Sequence, residues 1–128
     1  FNLVFNIIPW SFVNMIKVYG LKNCDTCKRV IKDLINAGSS YEFNDFRRDG
    51  LELSKITEWE KSRGFSSLVN KRGTTWRKLM QSDKDDLTGE KAVVLMFNYP
   101  ALIKRPIFEI GNKVIIGYKE EEKKLLGL

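Results

Sequence analysis

The chain has 128 residues, of which 43% are apolar and 30% charged, which is enough for one globular domain with a modest core. Its net charge of +6 is compatible with anionic partners, but no basic stripe with a recognised motif supports direct nucleic-acid binding. The lack of histidine excludes Ser/His and Cys/His nucleophile pairs, and two cysteines are too few for a structural zinc site, so we expect no metal.

The first fourteen residues, FNLVFNIIPWSFVN, are strongly apolar and carry no charge. They lack the basic region and cleavage site of a signal peptide, and they are too short for a membrane span of about 20 residues. Met15 follows directly and opens a strand-like pattern. We therefore expect residues 1–14 to be upstream sequence outside a single domain of residues 15–128, without a membrane partner. The alternative is an extra strand or an interaction arm.

The next predicted elements place both cysteines of the chain at a strand-to-helix junction. Residues 16–19 predict a short strand, and residues 20–23 predict a loop. From Cys24 the apolar residues recur at helical spacing as far as Gly38, a natural helix stop. Residues 41–46 then predict a second strand, which ends at the turn-like sequence RRDG.

The rest of the chain predicts mainly helices, followed by a hairpin. A helix is expected between residues 51 and 64, with Leu53, Ile56 and Trp59 along one side. The later predicted elements are a structured loop with a short helix at 65–79, a well-buried helix at 90–98, a β-hairpin at 107–118 and a terminal helix at 119–128 in which Glu120 pairs with Lys124. Strands and helices in this order predict an α/β fold around a small mixed sheet.

Cys24 is the candidate nucleophile because of its place at the start of the first helix. Unpaired N–H groups and the helix dipole favour an anion there, and Lys22, Lys28 and Arg29 add positive charge. Settings of this kind lower the pKa of a cysteine from about 8.5 to roughly 3.5–7.5. Cys27 lies nearly one turn further on, so we predict a more buried thiol that is able to resolve a mixed disulfide.

Other interpretations of the two cysteines remain. They could be incidental, since free cysteine is often an inert core residue. A C-x-x-C at a strand-to-helix junction in a small α/β chain is, however, typical of a thioredoxin-like site. The absence of a disulfide framework favours a reducing, cytoplasmic setting.

Arg105-Pro106 is a second candidate site element. In thioredoxin-like folds a proline, usually cis, opens the strand that faces the reactive cysteine. Arg105 would then place a guanidinium near the sulfur or near a bound carboxylate or oxyanion. The alternative is a solvent-exposed arginine beside a turn-forming proline.

Four stretches of the sequence are similar to one known family. They are YGLKNCDTCKR (19–29), YEFNDFRRDGL (41–51), LVNKRGTTWRKL (68–79) and PALIKRPIFE (100–109). On these stretches the chain resembles the ArsC/Spx family of thioredoxin-like proteins, and most closely its YffB-like branch. The resemblance implies a thioredoxin-like core with a helical insertion. It also maps the family's reactive cysteine onto Cys24, and the arginine and cis-proline of its site onto Arg105 and Pro106.

The YffB-like branch implies a glutathione-dependent thiol reductase, with glutathione as co-substrate and no bound cofactor. Glutathione carries net negative charge, so basic residues near Cys24 are the candidates to hold it. The predicted catalytic residues are Cys24, Arg105 and Cys27, and the predicted substrate-binding residues are Lys22, Asn23, Arg72, Arg77 and Pro106.

Two departures from the family pattern define the alternatives. Arsenate reductases use three arginines around their cysteine, whereas here the first position falls near Asn70, with Arg72 displaced by two residues, and the strand KVIIGYK has no arginine. This disfavours arsenate reduction. Cys27 is the second departure, because YffB-like sequences commonly carry one cysteine. Spx-type regulators carry C-x-x-C as a redox switch and bind RNA polymerase, so a redox-switched regulator is the main alternative.

Overall fold

The computed structural model describes residues 15–128, so the prediction for residues 1–14 lies outside the described part of the chain. Its four strands form one mixed sheet in the order β2-β1-β3-β4. The strands are β1 (Ile16–Gly20), β2 (Tyr41–Asp45), β3 (Ile107–Ile110) and β4 (Lys113–Ile116). Strand β1 pairs in parallel with β2 and antiparallel with β3, which forms a hairpin with β4.

Helix α1 (Asp25–Asn36) makes the crossover between the parallel strands and covers one face of the sheet. Its apolar residues recur at helical spacing, and Cys27, Val30 and Leu34 are buried. The chain leaves the helix through Gly38, whose φ of 68° lies in the left-handed region that favours glycine. The predicted strand–helix–strand order of this segment is confirmed.

A helical insertion covers the opposite face of the sheet. It consists of α2 (Leu53–Arg63), α3 (Phe65–Leu68), α4 (Thr74–Lys78), α5 (Gln81–Lys84), α6 (Gly89–Asn98) and a 3₁₀ turn at Pro100–Leu102. Ile56 and Trp59 of α2 are fully buried in a core shared with Tyr19 and Ile107 of the sheet. After the hairpin, α7 (Glu120–Leu125) returns to the face covered by α1, where Leu126 joins the core.

The carboxylate of Glu109 fastens the insertion to the sheet. It accepts hydrogen bonds from Tyr19 Oη at 3.2 Å, Lys55 Nζ at 3.0 Å and Trp59 Nε1 at 2.8 Å. The Tyr19 and Trp59 rings also pack edge to face, with their centroids 5.0 Å apart. Residues from β1, α2 and β3 therefore meet at one acidic side chain.

Two of the predictions were wrong, and Leu53 is more exposed than the residues that it was grouped with. It is 44% exposed, whereas Ile56 and Trp59, which were placed on the same side of α2, are fully buried. In α6, Val94 and Phe97 are 52% and 45% exposed, because only one side of this apolar helix meets the insertion core. In α7, Lys123 rather than Lys124 approaches Glu120, with Nζ and Oε1 3.7 Å apart at i,i+3 spacing.

Within residues 15–128, no helix is both long enough and apolar enough to cross a membrane.

Candidate active site

Cys24 occupies the N-cap of α1, where strand β1 and a short loop deliver it. Its backbone is extended (φ −99°, ψ 124°), and its carbonyl accepts the N–H of Lys28 at 2.9 Å, the first bond of the helix. Its own N–H donates to the carbonyl of Leu21 at 3.2 Å, which fixes the loop before it. The side chain is half-buried and not in a disulfide. This geometry holds the sulfur at the positive end of the helix.

The pKa of the Cys24 thiol is lowered by its surroundings. Partial burial opposes ionisation, but the N–H and thiol of Cys27 and the guanidinium of Arg105 together favour the thiolate and prevail. Cys24 therefore has the properties of a nucleophilic cysteine.

Cys27 differs from Cys24 in its burial and in the direction of its pKa shift. It is fully buried in α1, and its sulfur rests on Gly20, where an added Cβ would approach it to 2.5 Å. Burial raises its pKa to about 12, the Leu21 N–H opposes that rise, and the neighbouring Cys24 reinforces it. At neutral pH Cys27 is a protonated thiol that is closed off from solvent.

Arg105 approaches Cys24 from the loop that precedes β3, and its bond to Pro106 is cis. Its Nη1 donates to the carbonyls of Ala101 and Ile103 at 3.2 and 3.4 Å, so the 3₁₀ turn orients the guanidinium. Its Nε is buried and, among the residues that the structure describes, has no hydrogen-bond partner. A donor of this kind beside Cys24 favours the thiolate, and the guanidinium is one of the groups that lower the pKa of Cys24.

Asp45, at the end of β2, supports the loop beside Cys24. This buried carboxylate accepts the N–H groups of Lys22 and Arg47 at 2.7 Å each and of Arg48 at 3.0 Å. Burial opposes its ionisation, yet these backbone hydrogen bonds keep its pKa below the usual range. Sequence reasoning missed Asp45 because it lay within a predicted strand. Its only signal was an aspartate followed by a turn-like segment.

Two grooves meet at Cys24 and Arg105. The large groove has a volume of about 940 Å³ and runs between α1, α3 and the start of α7, and the small groove has a volume of about 490 Å³ and runs along the Asp45 loop. The other basic residues of the large groove are Arg29, Arg63, Lys71, Arg72, Lys104 and Lys119. The remaining lining of the small groove is Leu21, Lys22, Asn23, Asp45, Arg47 and Arg48.

The predicted site residues are distributed unevenly over these grooves. Lys22 and Asn23 line the small groove, and Arg72 lines the large one. Arg77 lines neither groove, and its Nη1 instead donates to the carbonyl of Arg72 at 2.9 Å. Pro106 is fully buried behind Arg105. Arg77 and Pro106 therefore contact residues of the site but do not line either groove.

A parallel β1–α1–β2 unit joined to an antiparallel hairpin in one mixed sheet, with a cysteine at the start of the helix, defines a thioredoxin-like protein. Residues 19–125 match the ArsC family, and the chain belongs to that family. The helical insertion between the two halves of the core agrees with the resemblance found in the sequence.

Individual relatives cover most of this chain. An uncharacterized protein of Haemophilus influenzae is 44% identical over 108 residues, which are 84% of this chain and 95% of the relative. The solved structure of a YffB protein is 33% identical, with a TM-score of 0.82 over 87% of this chain and 97% of that chain. The global transcriptional regulator Spx of Listeria innocua is 26% identical over 84% of this chain and 83% of its own length.

Proposed function

We propose that this protein is a glutathione-dependent thiol–disulfide reductase that uses Cys24 as its nucleophile. The observation that carries the proposal is the lowered pKa of Cys24 at the junction of two basic grooves. A thiolate is the form that attacks a disulfide, and cationic walls suit glutathione, which has two carboxylates and one ammonium group. Because turnover by reduced glutathione needs a reducing compartment, the proposal includes a cytoplasmic location.

The reaction has two exchange steps. The Cys24 thiolate attacks the glutathione sulfur of a mixed disulfide R–S–S–G, so that a Cys24–glutathione disulfide forms and R–S⁻ leaves and takes up a proton. A second glutathione, as its thiolate, then attacks the glutathione sulfur of that adduct. Glutathione disulfide departs, and the Cys24 thiolate is regenerated. Each cycle therefore consumes one reduced glutathione, and the glutathione disulfide that departs contains that molecule and the glutathionyl group of the substrate.

Glutathione, rather than Cys27, resolves the adduct in this scheme. Cys27 is fully buried and its pKa is raised to about 12, so at neutral pH it supplies almost no thiolate. Cys27 is thus a packing residue beside a single working cysteine.

The second candidate function is that of an Spx-like regulator, in which a Cys24–Cys27 disulfide would switch a surface that binds RNA polymerase. The C-x-x-C spacing and the similarity to Listeria Spx favour it. The burial and the raised pKa of Cys27 disfavour it, because the switch would need Cys27 as a thiolate that closes the disulfide onto an oxidised Cys24.

Arsenate reduction is the third and weakest candidate. From the end of β4 onward, Ile116, Gly117, Tyr118 and Lys119 line the large groove, and none of them is an arginine. Asn70 stands in the same groove where the arsenate reductases have their first arginine. One arginine beside the sulfur offers fewer donors than an arsenate group bound to Cys24, with up to two negative charges, would need.

Glutathione-dependent turnover of a small mixed disulfide tests the main proposal. Wild type and Cys27→Ser should turn over at similar rates, whereas Cys24→Ser should lose activity by about three orders of magnitude or more. Activity retained by Cys24→Ser would remove Cys24 as nucleophile. Activity lost in Cys27→Ser, with the fold intact by circular dichroism, would favour the two-cysteine scheme. Capture of RNA polymerase by an oxidised protein without turnover would favour the regulator.

A further inference from the structure

We infer that the two grooves separate the two halves of a mixed-disulfide substrate. In this arrangement, which rests on the proposed function, the small groove takes the glutathionyl half. The large groove takes an acidic polypeptide segment that carries the thiol to be released. The preferred substrates are then glutathionylated proteins with Asp or Glu residues near the modified cysteine.

Among residues 15–128, Cys24 and Arg105 are the two that line both grooves. A disulfide that is attacked by Cys24 has to lie at this junction, and its two substituents diverge from there. The buried Nε of Arg105, which has no partner within residues 15–128, lies at the same point. Two grooves that meet at one reactive sulfur suit a substrate with two unlike halves.

The large groove has the charge and the size for a polypeptide segment. It carries seven basic side chains, including Arg105, and one acidic residue, Glu122. The Glu122 carboxylate is already engaged as an acceptor of the Lys119 N–H at 2.7 Å. A groove of about 940 Å³ lies at the upper end of the range of small-molecule sites. An acidic chain of several residues matches this field better than a neutral or basic one.

The small groove fits the glutathionyl half by its size and by its two available cations. Its Asp45 carboxylate is occupied by three backbone N–H groups, and Arg48 is paired with Asp49 at 2.8 Å. The ion pairs found in the described part of the chain involve neither Lys22 nor Arg47. Two cationic side chains therefore face a volume of about 490 Å³, and the glutathionyl group brings two carboxylates.

Single-turnover transfer tests the inference without a need for glutathione recycling. Two glutathionylated peptides differ only in Asp and Glu against Asn and Gln around the modified cysteine. The second-order rate constant for release of each peptide thiol is measured together with the mass of the Cys24 adduct. Wild type should favour the acidic peptide by about tenfold at low ionic strength, and salt should reduce this preference.

Three variants separate the two grooves; one of them removes two positive charges, and the other two remove one positive charge each. In the large groove, Lys104→Gln combined with Lys119→Gln should reduce the acidic-to-neutral ratio to about threefold or less. In the small groove, Arg47→Gln should slow both peptides by one common factor, so that the ratio stays as in wild type. Lys32→Gln, on the exposed surface of α1 and lining neither groove, is the single-charge control and should change neither rate.

The inference is overturned if wild type shows no acidic preference, or if Arg47→Gln changes the ratio as much as the large-groove variant does. An acidic preference in single turnover, combined with no recycling by glutathione, would uphold the grooves and reject the proposed reductase. Normal recycling without an acidic preference would uphold the reductase and reject the inference. Failure of Cys24 to accept glutathione from either peptide would reject both.

Discussion

The Glu109 cluster and the Cys24 site each hold one acidic group against a cationic side chain, but they use their hydrogen-bond donors differently. Glu109 is approached by Lys55, Tyr19 and Trp59, and each of them donates to its carboxylate. Burial is the largest cause of the raised pKa of the Tyr19 hydroxyl, and the neighbouring Glu109 carboxylate is the second. The hydroxyl therefore remains protonated and donates its hydrogen bond. At the Cys24 site, by contrast, Arg105 keeps a buried Nε without a partner among the described residues.

This difference separates a structural anion from a reactive one. A carboxylate whose acceptor positions are filled by three donors stabilises the contacts between α2, β1 and β3 and has little capacity for a ligand. A thiolate at a helix N-terminus, open to two grooves and beside a donor that is not fully used, can exchange one partner for another. The region whose anion already has all its hydrogen-bond partners, at Glu109, is the structural one, and the region with an unpaired donor, at Cys24, is the reactive one.

Glu109→Ala should give the largest loss of stability, about 3–5 kcal/mol of unfolding free energy, because it leaves Lys55, Trp59 and Tyr19 without their shared acceptor. Urea denaturation measures this loss. Glu58→Ala is the matched control, since it removes an exposed carboxylate 3.6 Å from the same Lys55 and should cost about 0.5 kcal/mol or less. Equal losses in the two variants would contradict a structural role specific to Glu109.

Asp45→Asn should cost about 3 kcal/mol at neutral pH and also disturb the site, because an amide cannot accept on both sides as the carboxylate does. The folded-state pKa of Asp45 is depressed. Its stabilisation is therefore present above the ordinary value of about 3.9 and is lost as the pH falls through the folded-state pKa. The stability difference between wild type and variant should shrink in acid. A difference that does not depend on pH would argue against the ionised carboxylate.

Gly20→Ala should cost about 2 kcal/mol, because the new Cβ would lie 2.5 Å from the sulfur of Cys27. In the Cys27→Ala background the sulfur is absent, so Gly20→Ala should cost less unfolding free energy there than it does in wild type. Thermal unfolding of the four proteins gives the coupling energy between the two positions. If the two losses are simply additive, the tight packing of Cys27 on Gly20 is not the cause.

Local sequence patterns predicted the strand-to-helix junction at Cys24 and the order of the elements, which the structure confirms. They succeeded because helical spacing and turn residues are properties of short segments. The Glu109 cluster could not be predicted in this way, since it joins residues 19, 55, 59 and 109 through tertiary contacts. The exposed side of α6 was missed for the same reason, because an apolar helix does not show how much of its surface has a partner.

The candidate site likewise contains residues that the sequence predicted and a groove that depends on tertiary contacts. The resemblance to the ArsC/Spx family pointed to Cys24 and Arg105, which the structure brings together. It gave no indication of the second groove, which depends on Asp45 at the end of β2 holding Lys22 beside Cys24. A single sequence contains these residues but not the register between β1 and β2 that brings them together.

Arg105→Gln should have the smallest effect on stability and a selective effect on the thiol. The guanidinium is one of the groups that lower the pKa of Cys24, so its removal should move the pH profile of Cys24 alkylation to higher pH. At a pH below the wild-type midpoint, alkylation should slow by about tenfold. Cys27→Ser is used as the background so that one thiol is followed, and Lys32→Gln serves as the charge control.

The sign of the pH effect on stability provides an independent check on Arg105. Because the folded-state pKa of Cys24 is depressed, the thiolate's contribution is present above the unfolded value of about 8.5 and is lost as the pH falls through the folded-state pKa. Arg105→Gln should raise the folded-state pKa of Cys24 and so shorten, at its acidic end, the pH range over which the thiolate stabilises the fold. Cys24→Ser should remove this pH-dependent stabilisation altogether. An alkylation profile that does not move in Arg105→Gln would assign the reactive thiolate to the helix terminus alone, and Arg105 would then act on the substrate rather than on the sulfur.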